Sequence, residues 1–198
     1  MKILCVKGPQ GSGKDTFAEI VCENFSAVRV SIADHIREFV WSKFSRKIRD
    51  KKYLWGTYDQ KETPICKSWT LSKTAQKYFD LPAGTPWTGR LLLQFEGTVS
   101  GTDIDELVWN IKVSEHLVGV SDLDYVVVTD SRRPEQFELF KSMGDCVVVS
   151  LERSIDGKGE DNHETEKLSR EYPADVSIDN NGTLEEFKSN VLELITAL

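Results

Sequence analysis

Near its start the chain reads Gly8-Pro9-Gln10-Gly11-Ser12-Gly13-Lys14-Asp15-Thr16. These residue types combine three ways of holding a phosphate. Glycines let the backbone curl with its N–H groups pointing inward, a helix N-terminus adds partial positive charge, and a lysine adds a full one. Gly8, Gly13 and Lys14 meet the phosphate-loop pattern G-x-x-x-x-G-K-[ST], and Asp15 stands where a hydroxyl normally turns to magnesium. A carboxylate is also a hard oxygen ligand, so Asp15 suits magnesium in that place. Thr16 is adjacent but points elsewhere on the helix. The rival dinucleotide fingerprint needs G-x-G-x-x-G, and Gly8, Gly11 and Gly13 are spaced wrongly for it. Gly8, Gly11, Ser12, Gly13, Lys14, Asp15 and Thr16 are thus candidates for binding a nucleoside triphosphate.

A second candidate group follows the run Asp124-Tyr-Val-Val-Val-Thr-Asp130. Asp130 would lie at the C-terminal edge of a parallel strand, beside the ligand crevice of such folds, where it can hold magnesium or orient an oxygen. A loop-capping role is the alternative. Arg132 and Arg133 come directly after it; a guanidinium there reaches a transferred phosphate or makes a surface ion pair.

These groups need elements to position them. Lys2 to Lys7 reads as a short buried strand. Phe17, Ala18, Ile20, Val21 and Phe25 recur at helical spacing after Lys14. A strand is expected over 28–32, a helix over 34–44 and further helices over 89–95, 104–118 and 134–143. Strands are expected over 124–130, 146–151 and 174–178, the first two unbroken enough in valine to be buried on both faces. Thr183, with Glu186 three residues on, predicts a capping box for a final helix. Short strands alternating with helices predict an α/β fold, a parallel β-sheet with helices on both faces. Residues 45–88 lose periodicity and read as an irregular excursion with some helix, rich in Lys, Trp and Tyr.

The 198 residues carry a net charge of -7, unevenly placed. Residues 29–80 hold 12 Lys+Arg and 6 Asp+Glu, a net of +6, so the remainder is -13. This fits either a solvated mixed loop or a basic insert over an anionic substrate. It leaves little for the long basic track of a nucleic-acid binder. No apolar run approaches the ~20 residues of a membrane span, and the apolar start is too short for a signal peptide. Cys5, Cys22, Cys66 and Cys146 form no C-x-x-C, and a reduced cytoplasmic setting is expected. Trp55, Trp69 and Trp87 suit local packing better than base stacking.

Together these stretches resemble the phage deoxynucleoside monophosphate kinases of the T-even type, relatives of the adenylate-kinase-like P-loop kinases. The opening resembles that family's G-x-x-x-S-G-K-D-T, Asp15 included. Ser31-Ile-Ala-Asp-His-Ile-Arg-Glu38 resembles A-x-x-(I/L)-(K/R), carrying Ala33 and Arg37. Tyr58-Asp-Gln-Lys-Glu-Thr63 resembles Y-D-x-E-T with one residue added, involving Asp59, Lys61 and Glu62. Arg90-Leu-Leu-Leu-Gln-Phe-Glu-Gly-Thr98 resembles R-x-L-x-Q-x-x-G-T. Asp130 and Arg132 match D-x-R, and Asn162-His-Glu-Thr-Glu166 matches H-x-(S/T)-E. The ending from Asp175 through Asn180, Asn181 and Gly182 to Glu186 resembles D-x-x-I-x-N-(D/N)-G-(S/T)-L-E-E. Dephospho-coenzyme A kinases share that ending. The order is collinear over nearly the whole chain.

The resemblance implies one P-loop kinase domain over 1–198, with a core of 1–32 and 120–198, an acceptor region of about 33–118 and a lid of about 153–168. It implies transfer of the γ-phosphate of ATP to a deoxynucleoside monophosphate, with Mg2+. Lys14, Asp130, Arg132 and Arg153 would be catalytic, Arg153 acting with Lys158 from the lid. Asp15 and Asp130 would hold the metal, and Asn180, Asn181 and Gly182 would border the donor adenine. Ala33, Arg37, Lys61, Arg90 and Gln94 would bind the acceptor. Departures at Val99, Thr102, Glu135 and Ser154 touch the acceptor pocket and lid and leave the acceptor base open. Other readings are a kinase acting on modified bases in phage DNA, a small-metabolite kinase and a nucleotide-binding switch. A homodimer is left open.

Overall fold

The structure, a computed structural model, describes residues 1–9, 11–100, 108–154 and 164–198. In chain order its elements are β1 (Lys2–Lys7), α1 (Lys14–Asn24), β2 (Ala27–Val30), α2 (Ile32–Ile48), α3 (Lys52–Trp55), α4 (Tyr58–Glu62), α5 (Lys73–Phe79) and α6 (Gly89–Phe95), which runs into a π-helical turn (Glu96–Ser100). Then come α7 (Val108–Gly119), β3 (Tyr125–Val128), α8 (Pro134–Ser142), β4 (Cys146–Glu152), α9 (Glu164–Glu171), β5 (Val176–Asp179) and α10 (Leu184–Ala197). The chain divides into two compact units, residues 1–32 with 113–198, and residues 33–112.

The first unit is built on a five-stranded sheet in the order β2-β3-β1-β4-β5, every pairing parallel. Central β1 sets Leu4 beside Val127 on one side and Val147 on the other. Successive strand side chains point to opposite faces. Leu4 and Val6 enter one buried cluster with Phe17, Ala18 and Val21 of α1 and Phe187, Val191 and Ile195 of α10. Ile3 and Cys5 turn to the other face, and α8, whose Phe137 and Phe140 are fully buried, packs against β1 and β4. This two-sided covering is why the valine runs of β3 and β4 lack polar alternation.

Three boundaries differ from the sequence reading. β2 stops at Val30, and Ile32 opens α2, because the Asp130 carboxylate accepts the Ile32 N–H at 2.9 Å and the Ser31 hydroxyl at 2.7 Å. That carboxylate does the work of an N-cap from the segment after β3. β3 ends at Val128, two residues before Asp130. α2 continues to Ile48, well past Phe44. The expected capping box is present: Thr183 accepts the Glu186 N–H at 3.2 Å and Glu186 accepts the Thr183 N–H at 2.7 Å. The expected helix over 104–118 is described from Val108.

The second unit has its own core. Val40, Ile48, Leu54, Leu71, Ala75, Trp87 and Leu92 are buried together. Short helices α3 to α5 and the antiparallel bridges Pro64–Thr88 and Thr70–Pro86 surround them. The tryptophans pack as expected. Trp69 lies 5.6 Å from Phe44 and 6.2 Å from Trp87, and Trp55 meets Trp41 edge to face.

Candidate active site

Because every strand of the first unit is parallel, the segments after their C-terminal ends share one edge of the sheet. Gly8 to Lys14 follows β1, Asp130 to Arg132 follows β3, Arg153 follows β4 and Asn180 to Gly182 follows β5. At the loop, Gly8, Gly11 and Gly13 have φ of 149°, 83° and 98°. A Cβ on Gly8 would lie 2.7 Å from the Leu151 carbonyl, and one on Gly13 would lie 2.5 Å from Asn180 Nδ2. Only glycine allows the loop this curl against its neighbours. The Ser12 hydroxyl is buried with no hydrogen-bond partner. Lys14 Nζ donates to the carbonyls of Gly8 at 2.7 Å and Pro9 at 2.8 Å, which holds the ammonium over the loop. A glycine cradle, an unpartnered buried hydroxyl and an ammonium at a helix start fit the phosphates of a nucleotide.

Two residues brace this loop. Asn180, itself buried, donates from Nδ2 to the Ser12 carbonyl at 2.8 Å. Arg153 Nη1 donates to the Gly11 carbonyl at 3.3 Å. Asn181 Oδ1 accepts the Ser154 N–H at 2.7 Å, tying the segment after β4 to the segment after β5. Asn180 therefore turns its amide to the loop, while Asn181 and Gly182 are exposed. Lys158, His163 and much of the expected lid lie outside the described residues.

Asp15 lies in the first turn of α1, and its carboxylate meets Arg29 Nη2 at 2.9 Å. Arg29 comes from β2 and also donates from Nε to Thr129 Oγ1 at 3.2 Å, next to Asp130. The structure thus links Asp15 to the Asp130 corner through Arg29, a residue that the motif pattern does not include. Both oxygens of Asp130 already accept hydrogen bonds. No cluster of three or more His, Cys, Asp or Glu able to hold a metal exists among the described residues. The carboxylates of Asp15 and Asp130 are hard oxygen donors of the kind that suits magnesium, which keeps waters and is completed by substrate phosphates. Arg132 is exposed, and its N–H donates to Gln136 Oε1 at 2.7 Å as α8 begins.

In the second unit, Arg37, Lys61 and Arg90 converge. Burial lowers the Lys61 pKa, and the charges of Arg37 and Arg90 lower it further. Arg37 pairs with Asp34, yet its Nε is buried without a partner. Arg90 pairs with Glu62 at 3.2 Å and lies over the Tyr58 ring at 5.1 Å. Three cations stand against two carboxylates here with one donor unused, an arrangement that suits an anion. Gln94 is exposed on α6, one turn beyond Arg90 and on the same face. Ala33 sits in the first turn of α2. Asp34 joins this site from an unspecified position of its stretch, whereas Tyr58 opens the Tyr58–Thr63 stretch.

The parallel sheet with a glycine cradle at the end of its central strand, and Lys14 opening the following helix, define a P-loop kinase fold. The family model for deoxynucleotide monophosphate kinase matches residues 57–191, and the chain belongs to that family of phosphotransferases. The deoxynucleotide monophosphate kinase of Enterobacteria phage T4 is 24% identical over 243 residues, covering 100% of both chains. That of Escherichia phage RB69 is 23% identical over 246 residues, covering 98% of this chain and 100% of the relative. Among solved structures, a dephospho-CoA kinase from Campylobacter jejuni is similar with a TM-score of 0.46 and 15% identity, over 99% of this chain and 96% of that one. No described helix is long and apolar enough to cross a membrane.

Proposed function

We propose that the protein transfers the γ-phosphate of ATP to a deoxynucleoside monophosphate, giving the diphosphate and ADP. The observation that carries the acceptor side is the convergence of Arg37, Lys61 and Arg90 around an unpartnered guanidinium N–H. A terminal phosphate dianion satisfies that donor and relieves the repulsion among the three cations. Gln94 supplies an amide, both donor and acceptor, to one edge of the base. On the donor side the loop N–H groups and Lys14 hold the triphosphate.

The chemistry asks little covalent work of the protein. An acceptor phosphate oxygen bonds to the γ-phosphorus as the bond to the β-phosphate oxygen breaks. That acceptor is ionised at neutral pH, so no strong general base is required. Lys14 follows the charge that moves toward the leaving oxygen, and Arg153 and Arg132 add positive charge at the same sheet edge. Magnesium, when bound, neutralises the donor phosphates; Asp15 and Asp130 are the side chains that would hold it, directly or through water. Asn181 and Gly182 border the adenine, and Asn180 sets the loop.

The test is an acceptor screen with ATP and magnesium. Its panel is the four standard deoxynucleoside monophosphates, base-modified ones, dephospho-coenzyme A, and plain and base-modified DNA. Conversion of dTMP or dGMP to the diphosphate is expected. Transfer to DNA alone, or to dephospho-coenzyme A alone, would replace this reading with the corresponding alternative.

A further inference from the structure

Residues 43–52 carry six cationic side chains, Lys43, Arg46, Lys47, Arg49, Lys51 and Lys52, against the single carboxylate of Asp50. Two are neutralised locally: Lys43 by Glu96 at 2.8 Å and Lys52 by Asp50 at 3.1 Å. Arg46, Lys47, Arg49 and Lys51 are exposed and have no carboxylate within ion-pair distance among the described residues. They belong to one stretch, the last turn of α2 and the turn into α3.

Two of these charges are held in place. Lys47 Nζ lies 4.9 Å over the Trp69 ring. Lys51 Nζ lies 5.5 Å over Trp41 and 5.1 Å over Trp55. Cation–π contacts of this kind are attractive even at exposed sites. They also limit the freedom of two long side chains, so less entropy is lost when the ammonium groups meet an anion. Arg49 closes α2 in the left-handed region, with φ 61°, where glycine is usual. A favourable helix dipole accounts for Arg46 and Lys47 at the end of α2. It does not account for Lys51 and Lys52 at the start of α3.

This stretch is distinct from the acceptor site. Lys47 is ten residues beyond Arg37 on the same helix, roughly 15 Å along its axis. A monophosphate with one terminal phosphate reaches one of these sites only, whereas a row of separate cations suits a row of separate phosphates. An anionic membrane is a poorer match, because no exposed large apolar side chain lies within residues 41–55 to enter it. The rest of the chain is acidic and would repel a strand from other surfaces.

We propose that the stretch carrying Arg46, Lys47, Arg49 and Lys51 is a short docking track for single-stranded nucleic acid, gripped through its phosphates. It binds without sequence preference and independently of phosphoryl transfer. The tryptophans serve as platforms for the lysines, so phosphate contact dominates over base stacking.

The test is fluorescence anisotropy of a labelled oligodeoxythymidylate with the full chain. Four phosphate contacts on a single strand imply a log–log salt slope of about -3, or a loss of about fifty-fold in affinity between about 50 and 200 mM salt. The variant Lys47→Glu with Lys51→Glu should lose at least about tenfold in affinity at low salt and about halve the slope. Lys47→Arg with Lys51→Arg should keep both. Phosphorylation of free monophosphate should be unchanged in either variant. Absence of binding at low salt, binding unaffected by the charge reversal, or displacement of the strand by saturating dTMP or ATP would each overturn the proposal. So would retention of the protein by phosphatidylserine vesicles but not by the oligonucleotide.

Discussion

Lys14 is placed by two carbonyls of its own loop, so its ammonium is held over that loop. Lys14→Ala should lower kcat on the order of 100-fold or more, the usual cost of one charged contact made in the transition state. Circular dichroism melts should be unchanged; near-normal turnover of the folded variant would remove the loop from the mechanism. Asp15 makes a different case, because Arg29 already shares its charge. Asp15→Ala should raise the magnesium needed for half-maximal rate, and Asp15→Ser should recover part of the loss. Arg29→Ala frees the carboxylate, so the magnesium requirement should move the opposite way. A rise in both alanine variants would mean that Arg29 orients the carboxylate instead of tempering it. Lys61 joins function to stability with opposite signs. Burial and two guanidinium neighbours depress its folded pKa. Its charge therefore costs stability at neutral pH, a cost relieved as pH rises through the folded pKa toward the unfolded one near 10.5. Lys61→Met should raise the Tm by up to a few degrees and raise the acceptor KM, with the KM for ATP unchanged. A lowered Tm would show that the three cations are not under mutual repulsion.

At the scale of elements, the brace from β5 to the phosphate loop is the telling case. Asn180 is buried, and its amide donates to the Ser12 carbonyl. Asn180→Ala removes that bond and leaves the carbonyl to water or to nothing, a change of about 1–3 kcal/mol. The KM for ATP should rise about tenfold, with the acceptor KM steady. An equal rise in both constants would mean general disorder of the unit and not loss of a brace. Such a bond joins residues 168 apart, so no local pattern announces it. What depends on local order was readable: α1 spans Lys14–Asn24 as its apolar spacing requires, and Thr183 with Glu186 caps α10 as the box predicts. What depends on distant partners was not. Ile32 reads as the end of a strand until Asp130 arrives from the segment after β3 to start a helix there. The short helices α3 to α5 follow no apolar period, since their aromatic residues pack from several directions at once. The candidate site divides the same way. The loop and the acceptor cations can be read as motifs, but Arg29 becomes visible only when β2 is set beside β3.

The two compact units each hold a different group of candidate residues. One hydrophobic core lies within residues 1–32 and 113–198, where the phosphate loop and its braces are found. A second lies within residues 33–112, where Arg37, Lys61 and Arg90 converge. A ligand that binds the native state stabilises first the unit that it contacts, by about 2.7 kcal/mol at a hundredfold excess over its Kd. Amide hydrogen exchange resolves such stabilisation by segment. A non-hydrolysable ATP analogue should slow exchange in the loop, the start of α1 and the segment after β5. dTMP alone should slow exchange in the first turns of α2 and in α4 and α6. Lys14→Ala should abolish the first pattern and leave the second, and Arg37→Ala should do the reverse. If dTMP protected the loop and left α4 and α6 unchanged, residues 33–112 would not be the acceptor-binding unit, and the roles given to Arg37, Lys61, Arg90 and Gln94 would have to be withdrawn together.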